Sequence, residues 1–217
     1  ESEQDTKLRA TILGLLSYGE HQEVIDHCLE TFHRIEDVQS LPSEIRGIIF
    51  SVAAKHGTPD DFERLLKLHE TTVNAELRDD LTSGLCSTKK QDQITTLLNR
   101  LTNGDIVKRQ DLFRWYIYLL RNRYAREQTW QWMVDSWEWI EETFKGDKSY
   151  DDFARYSANI FSTRTWLEAY NAFFEPMSNQ TALKRAIEIG KVEIESRVEW
   201  LERDTESVRT TLAQETA

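Results

Sequence analysis

His69-Glu70-Thr71-Thr72-Val73 comes nearer than any other stretch of this sequence to a known catalytic motif. A zinc-peptidase helix carries two histidines four residues apart, so that both imidazoles face one metal from one side. Val73 occupies the second of those positions and cannot ligate, so His69 reads as a histidine on a helix face. His21, His27 and His33 are spaced by six, which turns each about 240° from the last on a helix, and they do not converge. No Gly-x-Ser-x-Gly elbow and no glycine-rich phosphate loop occurs. Cys28 follows His27, but neighbouring helical residues point about 100° apart. Cys28 and Cys86 are therefore read as buried thiols of a reducing compartment. Carboxylates are plentiful, and their spacing selects no acid–base pair.

Binding chemistry has a better footing. Lys108, Arg109, Arg114, Arg121, Arg123 and Arg126 form the one dense basic run in a chain of net charge −11. An arginine in such a run can hold a peptide carboxylate through a bidentate fork. The plainer reading is a set of surface ion pairs, each worth little. Directly after it comes an aromatic stripe, Trp130, Met133, Val134, Trp137, Ile140 and Phe144, whose spacing places it on one helix face turned to the core. Trp132 and Trp139 lie off that stripe. The negative net charge argues against a nucleic-acid partner. No apolar run approaches the roughly 20 residues of a membrane span, so no membrane is expected either.

The elements that must position these residues are helices. At 217 residues the chain suits one large domain or two small ones, and the reading taken is a single domain over 1–217. Aromatics at 11% set it apart from a disordered segment. Leu8, Ile12 and Leu15 share a face, as do Ile45, Ile48, Ile49 and Val52 after the start signal Pro42-Ser43-Glu44. Thr58-Pro59-Asp60-Asp61 opens another helix, with Phe62, Leu65, Leu66 and His69 on one side. Leu77, Leu81 and Leu85 continue the pattern, followed by Ile94, Leu97, Leu98 and Leu101. Asn103-Gly104-Asp105 reads as a turn, 112–120 as a helix buried nearly all round, and Lys145-Gly146-Asp147 as a stop. A last helix over about 182–212 turns Ile187, Ile194, Val198 and Leu201 inward. Period-two alternation is missing. The expected architecture is all-α, an α-solenoid of stacked antiparallel helix pairs of the HEAT or armadillo kind.

Four segments resemble the helical C-terminal domain of the M1 zinc aminopeptidases, in particular those of lactic-acid bacteria, and more distantly those of the endoplasmic reticulum. Gly104-Asp105-Ile106-Val107-Lys108-Arg109-Gln110-Asp111 is similar to that family's Gly-x-Ile-Arg-x-Gln-Asp turn and helix start. Trp130-Gln131-Trp132-Met133-Val134-Asp135-Ser136-Trp137 is similar to its Trp-x-Phe-x-x-x-Asn-Trp helix. Phe161-Ser162-Thr163-Arg164-Thr165-Trp166-Leu167-Glu168 with Phe173-Phe174, and the ending 194–201, complete the set. Lys108, Ser136 and Arg123 depart from the family's Arg, Asn and Pro.

The resemblance implies a non-catalytic part of a larger enzyme. The zinc helix and the Gly-x-Met-Glu-Asn loop of the family lie in an earlier domain, so no cofactor is expected in this chain and zinc belongs to the parent. It implies a bacterial, cytoplasmic parent, with that parent's own catalytic domain and a peptide as partners. The domain would cap the active site, wall the peptide cavity and gate entry to it. Lys108, Arg109, Gln110, Arg121, Arg123 and Arg126 are the candidates for the cavity wall, with Trp130, Trp137, Phe144, Phe161 and Phe173 as core. The alternative is a free-standing helical-repeat adaptor that binds another protein. Asn179-Gln180-Thr181 is a glycosylation sequon by pattern.

Overall fold

A computed structural model describes residues 2–144, 146–147 and 149–215, the last of them by its backbone alone. Among these residues the chain is helical throughout and contains no strand. In order come α1 (Glu3–Tyr18), α2 (Gln22–Arg34), α3 (Ser43–His56), α4 (Pro59–Thr71), α5 (Ala75–Leu85) and α6 (Gln91–Arg100). They are followed by α7 (Arg109–Arg121), α8 (Arg126–Asp135), α9 (Trp137–Phe144), α10 (Asp152–Ala158), α11 (Arg164–Phe174) and α12 (Lys184–Glu215). Packing divides the chain into two compact units, Glu1–Thr129 and Trp130–Ala217.

In the first unit α3 packs on α1, α2, α4 and α5, and α5 packs on α7. Local sequence sets the starts. Thr58 and Asp61 form a capping box at α4, with the Thr58 hydroxyl accepting from the Asp61 amide at 3.3 Å and the Asp61 carboxylate accepting from the Thr58 amide at 2.8 Å. Burial works against the Asp61 carboxylate, yet the Thr58 and His33 hydrogen bonds hold it below the usual carboxylate range. α3 and α5 approach so closely at Gly84 that a Cβ there would lie 2.5 Å from the Phe50 Cβ. Arg46, buried between these helices, meets Asp80 at 2.6 Å. The expected faces Leu77/Leu81/Leu85 and Ile94/Leu97/Leu98/Leu101 are buried. Leu8, Ile12 and Leu15 do share a face of α1, but that face is exposed to solvent.

The second unit is built around aromatic side chains. The Trp130 ring meets Phe161 at 5.1 Å and Phe173 at 5.8 Å, and Trp137 meets Phe173 at 5.3 Å and Phe174 at 5.5 Å, all near-perpendicular. Trp130, Trp137, Phe144 and Phe161 are buried, whereas Phe173 is half-buried and Phe174 is the fully buried member of that pair. Trp132 and Trp139 are half-buried. Gly190 lets α12 close on α10 and α11, since a Cβ there would come within 2.8 Å of the Ala158 Cβ.

Two expectations need correction. The aromatic stripe does not run along one unbroken helix: α8 and α9 are separated at Ser136. Ser136 still donates to the Trp132 carbonyl at 2.9 Å and accepts from Ile140 at 2.9 Å, so the axis carries on and the face is kept. Leu201 does not turn inward but is 39% exposed, because α12 runs beyond the helices that cover Ile194 and Val198. At the expected stop after Phe144, Lys145 lies outside the described residues. Gly146 takes φ +82 and Asp147 donates to the Phe144 carbonyl at 2.8 Å, a turn that glycine adopts without a Cβ penalty.

Two charged clefts as the candidate functional site

The basic run does not form one surface. α7 carries its two ends into two separate clefts, both within the first unit.

Lys108, Gln110 and Arg114 line the first cleft, of about 590 Å³, together with α5 and the 105–107 loop. His69 and Trp115 form part of its wall, 5% and 2% exposed, their rings 5.1 Å apart and edge-on. Burial, with the Arg78 charge adding to it, lowers the His69 imidazole to about 4, so it is neutral at physiological pH. Its Nε2 has no hydrogen-bond partner. Several of the charged side chains here are already engaged. Arg114 pairs with Asp79 at 2.9 Å, Glu70 pairs with Arg100, and Lys108 Nζ donates to the Gly104 carbonyl at 3.1 Å. These residues do not suit a metal. Val73 is 95% exposed, His69 is buried against an indole, and no group of three or more His, Cys, Asp or Glu among the described residues could hold an ion.

The second cleft, of about 410 Å³, holds Arg121 at the far end of α7, Arg123 in the turn after it and Arg126 at the start of α8. Its frame is Asn122, whose Nδ2 donates to the carbonyls of Cys86 at 2.9 Å and Thr88 at 2.6 Å, fixing the end of α7 to the loop after α5. Arg126 is not a free cation of this site. Its Nε donates to the Leu120 carbonyl at 3.1 Å and Nη2 to the Arg121 carbonyl at 3.4 Å, satisfying last-turn carbonyls of α7, and burial lowers its basicity. Arg123 lies over the Tyr124 ring at 4.9 Å and donates to its hydroxyl at 2.8 Å. Arg121 is exposed and makes no ion pair among the described residues. Lys55, from α3, joins them beside Tyr18 and Tyr118. The one carboxylate of the cleft, Glu20, is met at 3.5 Å by Lys89. Lys55, Arg121 and Arg123 thus leave a local positive excess in an acidic chain. Arg109 lines neither cleft. Lys55, Tyr18 and Glu20 escaped sequence reasoning, because no spacing links α1 and α3 to the end of α7.

The fold is that of an all-helical domain with two charged clefts in its first unit. Residues 1–196 match the model of the ERAP1-like C-terminal domain. The chain belongs to that family. It is 32% identical to aminopeptidase N of Lactococcus lactis subsp. lactis over 215 residues, covering 98% of this chain and 25% of the relative. It is 35% identical to aminopeptidase N of Lactococcus lactis subsp. cremoris over 204 residues, covering 91% and 24%. With human endoplasmic reticulum aminopeptidase 1 it shares 23% identity over 218 residues, covering 99% and 23%. The resemblance to the M1 aminopeptidases read from the four segments therefore stands, and the chain spans about a quarter of the length of these relatives.

Proposed function

We propose that this chain is the C-terminal domain of a zinc aminopeptidase of the M1 family, and that it caps and gates the peptide cavity of its parent. Catalysis and zinc then belong to the catalytic domain outside these residues, in a bacterial enzyme of the cytoplasm. The domain's own contribution is to receive the far end of the peptide. The observation that supports this is the second cleft, where Lys55, Arg121 and Arg123 face one already paired carboxylate. A cationic cleft partly shielded from solvent attracts a free carboxylate more strongly than an open surface does. The neighbouring tyrosines Tyr18, Tyr118 and Tyr124 supply hydroxyls and ring faces for peptide groups.

The test is kinetic. In the full-length enzyme, Arg121→Ala and Arg123→Ala should lower kcat/KM for a tetrapeptide about five- to tenfold, a loss of ~1–1.4 kcal/mol. The same peptide as its C-terminal amide, and a single-residue amide, should be spared. If acid and amide respond alike in both variants, the cleft does not read the carboxylate.

A further inference from the structure

The apolar pattern of α12 outlasts the core that it packs against. Ile194 and Val198 are buried at 0% and 3% exposure. Leu201, Thr205, Val208 and Leu212 continue the same strip, at alternating steps of three and four residues. That alternation averages 3.5, the repeat of a helix whose seam faces a partner. Yet Leu201, Val208 and Leu212 are 39%, 54% and 57% exposed, and no residue from 199 to 214 is buried. The arm extends about 20–25 Å at 1.5 Å per residue. A solvated helix of this length is marginal in water without a packed face.

We propose that this seam is a docking surface for the part of the same polypeptide that precedes α1. The proposal rests on the reading of the chain as the C-terminal domain of a longer enzyme. The matched family is a C-terminal domain, and coverage of 25% of the lactococcal relative leaves about three quarters of such a polypeptide on the far side of α1. That relative also matches 215 residues of this chain, beyond the 196 of the family model, so the arm belongs to a protein of that length. Beside the seam, Glu202 pairs with Arg164 at 2.7 Å, Asp204 with Arg203 at 2.7 Å and Glu206 with Arg209 at 3.7 Å, so the flanking charges are largely matched and the unmet surface is the apolar strip. The surface that covers the seam is therefore apolar. Docking holds the end of the domain against its parent.

Thiol accessibility reads this directly. Cys28 and Cys86 are buried, at 5% and 2% exposure, and give a slow background. Val208→Cys places a thiol on the seam, and Thr210→Cys places one on the opposite side of α12. In the 217-residue chain both should react quickly with a maleimide. In the full-length protein Val208→Cys should slow about tenfold or more, while Thr210→Cys keeps its rate. Equal slowing of both, or of neither, overturns the proposal. A rate for Val208→Cys in the isolated chain that falls as protein concentration rises overturns it too, by assigning the seam to a second copy. Chelator-sensitive hydrolysis of an aminoacyl substrate by the same full-length protein is read in parallel. Its absence would overturn the enzymatic reading, while the labelling contrast would still stand or fall by itself.

Discussion

Acidification should destabilise the first unit through His69, and the size of the effect follows from burial. In the unfolded chain the imidazole titrates near 6.5, and in the folded chain it is lowered to about 4. Burial is the main cause; the charges of Arg78 and Arg100 also keep the proton off, while Glu70 and Asp111 oppose them. The folded value is depressed, so the unfolded state binds the proton first. Stability is whole above about 6.5 and is lost as pH falls toward 4. Between about pH 7.5 and pH 5 the linkage relation gives a loss of ~2 kcal/mol from this one residue. The ring is 5% exposed, so solvent screening takes little from that figure. Urea unfolding of the wild type and of His69→Gln at both pH values isolates the effect, because other titrating groups are common to the two proteins. The wild type should lose ~2 kcal/mol more than the variant over this interval. Equal losses, or an NMR titration of His69 near 6.5, would refute the reasoning.

Two further outcomes concern packing and framing. Trp130→Ala and Trp137→Ala should each destabilise by ~3–5 kcal/mol, since each removes a buried ring with several perpendicular aromatic neighbours; denaturant midpoints check this, and unchanged midpoints would mean the rings do not hold the second unit together. Asn122→Ala should cost ~1–3 kcal/mol by leaving the Cys86 and Thr88 carbonyls without their donor, and should weaken tetrapeptide use in the full-length enzyme more than amide use, because the end of α7 loses its tie.

The sequence by itself determined the helices and what they bury. Apolar residues at helical spacing told which side of α4, α5 and α6 faces a neighbour, and Thr58 before Pro59 marked a start to the residue. These signals are legible because they act over one or two turns of chain. Periodicity says which face is apolar, but not whether anything covers it. Leu8, Ile12, Leu15 and Leu201 were indistinguishable in pattern from buried residues, and only tertiary structure shows them exposed. The candidate site was less legible still. Six basic residues in one run looked like one surface, but the two ends of α7 lie in different clefts. There Arg126 turns to backbone carbonyls, and Lys55, some 70 residues away in sequence, takes its place beside Arg121 and Arg123. Electrostatic sites depend on distance through space, and no local rule of spacing carries that distance.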